Sequence, residues 1–356
     1  MGTYIFIISQ LIYFFFLVLL VNSIKKHLFS NEHSNLLHLN SEGIFIPDNT
    51  TYNELYIQKL NNIDKNNNIY TKNYEAISIL PYSDKLVSKN GLYNLLKSKL
   101  DKISFNKFIP KTFDLHNYFD KKEFNNYIFN YFKKYNKPKI FYLKKNVENK
   151  NGIEIFNLKN KNSLMELYGY FYQNNYKIIQ ELVENPLLYN KRLVILRIYI
   201  FIYKYNNDLN YYRYNWGKYL YPINDYDIED NKSLISKSVE KLNIDNPMDI
   251  DLKEELNITQ NIDICLKLLK EASMEMYMDN NILKNKKLFQ HFGLDFILTN
   301  NNCEIIPKLL EINKNPILTN YYIKNKKKEI NKKKLMIKEM YSIVRDNIKE
   351  INFKKI

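Results

Sequence analysis

Residues 292–298, FGLDFIL, and residues 303–313, CEIIPKLLEIN, decide the fold of this chain. Both runs have the apolar character of strands and a Thr-Asn-Asn-Asn turn separates them, so we expect an antiparallel hairpin. Glu311 and Asn313 are two apart and share a face, while Asp295 lies on the partner strand. Two carboxylates and an amide oxygen there would suit Mg²⁺ that carries nucleotide phosphates, although ordinary polar strand ends are the alternative.

The segments before and after the hairpin predict further strands and helices. A helix is expected at SDKLVSKNGLYNLLKSKL (83–100), which has leucines at helical spacing and Ser83 or Asp84 as its cap. The runs that read as strands are KIFYLKK (139–145), YKIIQELV (176–183) and KRLVILRIYIFIY (191–203). A last helix carries Ile337, Met340, Tyr341, Val344 and Ile348 on one face. Residues 222–262 are polar with little pattern and are expected to form an irregular excursion. The class is therefore α/β or α+β.

The N-terminal part differs from the rest. Residues 4–22 are uncharged and long enough to span a bilayer, and the basic cluster at 25–27 would leave the bulk of the chain cytoplasmic;. A membrane anchor is expected, with a cleaved signal as the alternative. The predicted organisation is a hydrophobic segment (1–24), an Asn-rich variable arm (25–75) and one folded domain (76–350).

Composition narrows the classes of function. The net charge of +15 suggests an acidic partner, although codon bias could supply much of that charge;. Nucleic acid is not expected, since no zinc, helix-turn-helix or RRM signature is present. Cys265 and Cys303 are too few for a disulfide framework. Three of the four arginines, Arg192, Arg197 and Arg213, fall within one short window, which suggests anion recognition;.

Several segments together resemble one family. GLDFIL followed by LLEINKNP resembles the metal-binding end of the tubulin-tyrosine-ligase-like enzymes, where G-x-D-F precedes L-L-E-x-N-x-x-P. IIQELVENPLL (178–188) is similar to the hinge of that family. SDKLVSKNGLYNLL (83–96) resembles its Lys-rich lead-in helix, and FIPKTFDL (108–115) its P-x-T segment. The resemblance runs over roughly residues 78–348, in the order of the family.

The resemblance implies an ATP-grasp fold, with mixed and antiparallel sheets, flanking helices and the nucleotide bound between lobes. It implies a ligase that uses ATP and Mg²⁺ to join a free amino acid (Tyr, Glu or Gly) to a protein carboxylate through an acyl-phosphate. The acceptor implied is the acidic C-terminal tail of tubulin. A monomer in the cytoplasm or on the cytoskeleton is expected, with membrane attachment through residues 4–22 if that segment is an anchor.

The same resemblance assigns roles to individual residues. Asp295, Glu311 and Asn313 would bind the metal, while Arg197 and Lys218 would stabilise the transferred phosphate and the acyl-phosphate. The residues implied at the nucleotide are Lys144, Gly152, Ile153, Gln180, Glu181, Leu182 and Val183. Of these, Gln180 would offer its amide to adenine, and backbone groups of the next three residues its donor-acceptor edge. Lys150 replaces the first glycine of the phosphate-covering loop.

Two positions depart from the family pattern. With the register set by Arg197, Leu193 stands where the family has Lys, and Ile195 where it has Asp or His. These changes would remove a nucleotide contact and a substrate or metal contact, unless Lys191 and Arg192 substitute. The alternative function is therefore a catalytically impaired member that binds tubulin or microtubules.

Overall fold

The computed structural model describes the chain in fourteen stretches. They are residues 44–47, 56–57, 74–77, 80, 82–135, 137–146, 152–222, 224–227, 249–252, 255–278, 287–301, 304–314, 326–346 and 352–356.

Strands and helices are interleaved along the chain. The strands are β1 (Ile44–Pro47), β2 (Tyr56–Ile57), β3 (Tyr74–Ile77), β4 (Thr112–Phe113), β5 (Lys139–Lys144), β6 (Ile153–Leu158), β7 (Ile178–Glu181), β8 (Leu188–Tyr189), β9 (Arg192–Leu193), β10 (Ile195–Tyr205), β11 (Asp208–Leu220), β12 (Asp249–Asp251), β13 (Lys287–Asn301), β14 (Glu304–Lys314) and β15 (Phe353–Lys355). The helices are α1 (Asp84–Val87), α2 (Lys89–Lys99), α3 (Lys102–Phe108), α4 (Tyr118–Lys134), α5 (Leu164–Gln173), α6 (Leu256–Met278) and α7 (Lys326–Asp346), with a short 3-10 helix at Lys161–Ser163.

A large sheet forms the centre of the molecule. Its middle strands run in the order β11, β10, β13, with β14 antiparallel to β13 and β3 parallel to it. The short strands β12 and β15 both pair with the outer edge of β11. The predicted hairpin is therefore confirmed, since β13 and β14 pair from Phe292 opposite Lys314 to Asn301 opposite Glu304.

Period two gives the large sheet two apolar faces. From β10, Ile198 and Ile200 enter a core shared with α2, α3 and α6. Tyr199 and Phe201 point the other way and pack with residues of α7. That face of α7 includes the predicted residues Ile337, Met340, Tyr341 and Val344, whereas Ile348 lies outside the described residues. Arg197 continues the second face past Tyr199.

A smaller antiparallel sheet, in the order β4, β7, β5, β6, packs against α4 and α5. Its core is aromatic and includes Phe113, Phe124, Phe141 and Phe171, each essentially fully buried. Asn117 begins α4 by accepting hydrogen bonds from the N–H groups of Phe119 and Asp120, which satisfies two free donors of the first turn;. The two sheets with their helices confirm the α+β class and are consistent with an ATP-grasp-like fold.

The structure corrects three expectations from the sequence. The helix expected at 83–100 is two helices, because the backbone is extended at Ser88. The stretch 222–262 is not irregular throughout, since it contains β12 and the start of α6. The Asn-rich arm contributes β1 and β2 to the large sheet, and β3 (Tyr74–Ile77) crosses its predicted end at residue 75. Residues 4–22 lie outside the described residues. Among the residues that the structure describes, no helix is both long and apolar enough to cross a membrane.

Candidate active site

Three polar side chains gather where β13 and β14 pair. Asp295 lies directly opposite Glu311, and the Nδ2 atom of Asn313 is 3.2 Å from Oδ2 of Asp295 and 3.2 Å from Oε1 of Glu311. A β-bulge follows, because Phe296 pairs with Leu309, which leaves Leu310 as the extra residue beside Glu311;. The structure therefore brings together the three side chains predicted as a magnesium site.

This set of donors has the chemistry of a hard-cation site. The amide nitrogen of Asn313 points at the two carboxylates, and a half turn of the amide would present its oxygen at the same place;. Within the described residues, no group of three or more His, Cys, Asp or Glu side chains is arranged so that it could hold a metal ion. A cation here would therefore depend on two carboxylates and one amide, with phosphate oxygens or water completing its ligands.

A row of charged side chains crosses four neighbouring strands at this level. In the strand registers, Lys218 lies opposite Arg197, Arg197 opposite Asp295, and Asp295 opposite Glu311. The guanidinium of Arg197 donates to both carboxylate oxygens of Asp295, with Nε to Oδ1 and Nη2 to Oδ2 each 2.6 Å. Burial raises the pKa of Asp295, while the guanidinium of Arg197 opposes the shift. The predicted cations and metal ligands therefore lie next to one another.

Two lysines approach the row from outside the large sheet. The Nζ atom of Lys89, on the first residue of α2, is 3.8 Å from Oε2 of Glu311. Lys144 ends β5 of the small sheet and is buried, which lowers its pKa to about 8. Burial would raise the pKa of Glu311, but Lys89, Lys144, Asn313 and Arg197 together hold it below its ordinary value. The site thus lies between the two sheets.

The break between α1 and α2 places Lys89. Its backbone N–H donates to Oδ1 of Asn146, which follows β5, so the start of α2 is attached to the small sheet. A Cβ atom on Gly91 would lie 2.6 Å from the carbonyl oxygen of Lys85. Only a residue without a side chain lets the end of α1 pack so closely on α2.

Gln180 holds Lys144 through a short relay. The hydroxyl of Thr112 donates to the carbonyl of Pro110 (2.8 Å), so its oxygen accepts from Nε2 of Gln180 (2.8 Å). That bond orients the amide, whose Oε1 accepts from Nζ of Lys144 at 2.7 Å;. Gln180 was expected to offer its amide to adenine, but both ends of that amide are engaged here, and it positions the lysine.

The backbone of the predicted hinge is also engaged. The N–H of Glu181 donates to Lys111 O (2.8 Å), and the N–H of Leu182 donates to Ile140 O (3.3 Å). The carboxylate of Glu181 accepts from the hydroxyl of Tyr127 (2.7 Å) and pairs with Lys139. These two N–H groups therefore serve the small sheet, which differs from the expectation that they supply donors to adenine.

Apolar side chains continue the site beyond the charges. Leu182 packs with Tyr142 and Ile153 of the small sheet. The carbonyl of Gly152, just before Ile153, accepts from the N–H of Lys145 (2.7 Å), which closes the end of the β5–β6 hairpin. A second cluster consists of Val183, Leu193, Ile195 and Ile297, with Leu310 and Leu220 against it. Leu182 and Val183 are therefore in the apolar setting that a purine base requires.

The two residues that depart from the family pattern lie inside this second cluster. Leu193 is 1% exposed and Ile195 6% exposed. A Lys or Asp at either position would need a buried partner, whereas the apolar residues pack without one. Leu193 and Ile195, in place of the polar residues of the family, therefore make this wall of the site more apolar.

Two residues of the site, Lys89 and Thr112, were not predicted, and the three clustered arginines pair with aspartates. Lys89 lies in the quoted lead-in helix and Thr112 in the quoted P-x-T segment, so the signal was present but neither residue could be singled out. The clustered arginines do bind anions, but the anions are aspartates of the same chain. The pairs are Arg192–Asp225 at 3.8 Å, Arg197–Asp295 at 2.6 Å and Arg213–Asp263 at 2.7 Å.

Comparison with known proteins gives the family. Residues 50–237 match the model of the "Tubulin-tyrosine ligase family", just over half of the 356 residues. The match includes Lys144, the hinge and Arg197, and ends before the β13–β14 hairpin. No curated protein matches the chain. The chain belongs to the tubulin-tyrosine ligase family, which supports a ligase of that type.

Proposed function

We propose that the chain binds MgATP and uses it to join a free amino acid to a protein carboxylate through an acyl-phosphate. The acceptor proposed is the acidic C-terminal tail of tubulin. The observation that carries the proposal is the row Lys218, Arg197, Asp295 and Glu311 across four strands, with Asn313 beside the two carboxylates.

The oxygen donors support a site for Mg²⁺. Asp295, Glu311 and the oxygen of Asn313 would hold the ion, which would supply positive charge to the phosphates when bound. Two carboxylates this close repel each other, and Asp295 is already paired with Arg197. Loading the site would therefore loosen the Arg197 fork and release its N–H donors towards the phosphate.

The cations of the site suit the chemistry of phosphoryl transfer. Lys89 and Lys144 lie on the side of the small sheet and would bind the phosphate oxygens of the nucleotide;. Arg197 and Lys218 lie on the sheet beyond Asp295 and would stabilise negative charge on the transferred group and on the acyl-phosphate;. An amine could then attack the acyl carbon and displace phosphate.

The base would lie against Leu182, Val183 and Ile153. Since Gln180 and the N–H groups of Glu181 and Leu182 are engaged elsewhere, contact with the base would rest on apolar packing and on the remaining backbone groups of the hinge;. The charge of +15 suits an acidic acceptor tail in the cytoplasm or on the cytoskeleton;.

A second function follows from the apolar wall. Leu193 and Ile195 are packed in a buried cluster and bring no charge to the site. If turnover requires the polar side chains that the family has at these two positions, the chain binds tubulin or microtubules without ligase activity. That outcome would appear as MgATP binding without incorporation of an amino acid.

The experiment incubates the full chain with MgATP, tubulin and labelled tyrosine, glutamate or glycine in turn. Incorporation of one of the three into tubulin, dependent on ATP, supports the ligase. The test variant is Glu311→Gln, which should abolish incorporation, and the matched control is Glu304→Gln, an exposed carboxylate on the same strand. Equal incorporation by wild type and Glu311→Gln would contradict the proposed site.

A further inference from the structure

Tyr226 lies at the point where the two apolar clusters of the site meet. It belongs to the described segment 224–227, which follows β11, and its backbone N–H donates to the carbonyl of Lys191 at 2.7 Å. Its side chain packs against the cluster of Leu182 and Tyr142 and also against the cluster of Val183 and Leu193. One ring therefore contacts both walls of the slot expected to hold adenine.

The contacts place the ring in a largely apolar setting. Tyr226 is half-buried, and burial raises its pKa above the ordinary value. Burial also raises the pKa of Tyr142, and the neighbouring phenol of Tyr226 adds to that rise. An aromatic ring that covers two apolar walls is stabilised there by apolar burial, as a purine base would be.

The departures at Leu193 and Ile195 fit this arrangement. Both side chains belong to the wall that Tyr226 covers. A charged residue at either position would meet the face of the ring or be cut off from water by it, which is costly without a partner. Apolar residues at these positions and a tyrosine above them are therefore mutually compatible.

We propose that Tyr226 occupies the base slot of the nucleotide-free protein and that the base must displace it in order to bind. The inference rests on the proposed function, because it takes the slot beside Leu182 and Val183 as the place of the adenine. Two rings cannot share that volume, so the ring competes with the base and lowers the apparent affinity for any adenine nucleotide.

The test compares Tyr226→Ala, Tyr226→Phe and the wild type by calorimetry, with MgATP, adenosine and magnesium tripolyphosphate as ligands. Removing the ring should tighten binding of MgATP and adenosine about tenfold, because the competing occupant is gone. Tripolyphosphate has no base, so its affinity should not change. Tyr226→Phe keeps the ring and should behave as wild type. The matched control is Tyr189→Ala, an exposed tyrosine that stacks on Tyr221 at 5.5 Å.

The outcomes separate this inference from the proposed function. Wild-type binding of MgATP with equal or weaker binding by Tyr226→Ala would overturn the inference and leave the ligase proposal standing; weaker binding would mean that the ring is a wall of the occupied slot. Tight binding by Tyr226→Phe as well would also overturn it, since the hydroxyl would then be the cause. A failure of every variant to bind MgATP would overturn both.

Discussion

Replacing Asp295 by Asn should destabilise the fold as well as the site. Asp295 accepts two hydrogen bonds of 2.6 Å from Arg197, and the exposed fractions of the two side chains are 8% and 22%. Removing one partner of a buried pair costs about 3–5 kcal/mol, because the other charge is left unpaired. Asn keeps one acceptor oxygen and Arg197 keeps some contact with water, so we expect the lower end, about 3 kcal/mol.

The assay is guanidinium denaturation of Asp295→Asn, Arg197→Met and the double variant. Their free energies of unfolding are compared where the m-values agree. The double variant should lose less than the two single variants together, with a coupling of about 1–3 kcal/mol. The control is Glu275→Gln, which breaks an exposed pair with Lys99 and should cost less than about 1 kcal/mol;. A cost for Asp295→Asn as small as that of the control, or a coupling near zero, would refute the reasoning.

Three further outcomes are expected. Burial lowers the pKa of Lys144 to about 8, so MgATP affinity measured by calorimetry should fall as pH rises from about 7 to about 9.5, and Lys144→Arg should remove that fall;. Burial lowers the pKa of His291 to about 3, so its neutral ring contributes fully to folding stability only above about pH 6.5;. That contribution falls by up to about 1.4 kcal/mol per pH unit as the pH drops towards 3;. In urea titrations, the free energy of unfolding of His291→Phe should therefore depend less steeply on pH. Gly91→Ala forces a shift at the carbonyl of Lys85 and should cost about 1–3 kcal/mol by thermal unfolding, whereas Gly169→Ala, with open space around the new Cβ, should not destabilise;.

The hairpin and its face could be predicted because strand periodicity acts over a few residues. Asp295, Glu311 and Asn313 needed only the pairing of two adjacent strands to meet, and they meet. The bulge at Leu310 could not be predicted, since no local signal distinguishes an extra residue within an apolar run. It nevertheless contributes to the site, because the extra residue, Leu310, packs against the apolar cluster of Val183 and Ile195 while Glu311 stays opposite Asp295;.

Contacts between residues far apart in the sequence could not be predicted. Lys89 reaches Glu311 over more than two hundred residues, and it does so because Ser88 interrupts a helix whose leucine spacing predicts continuity. The relay from Thr112 through Gln180 to Lys144 joins three separate segments. No helix was predicted for α6, because its first residues follow a polar stretch without a clear boundary. Helical and strand periods report which face is buried, not which distant residue meets it.

The most direct measurement of the central claim is calorimetric titration of the full chain with ATP in the presence and absence of Mg²⁺. The wild type and Glu304→Gln should bind ATP more tightly with Mg²⁺ than without it, and Glu311→Gln should lose that difference. Glu311 is the better residue for this test. Its ion pair with Lys89 spans 3.8 Å, against 2.6 Å between Asp295 and Arg197, so its loss should disturb the fold less. The absence of a heat of binding for the wild type, or an equal gain from Mg²⁺ in all three proteins, would contradict the account.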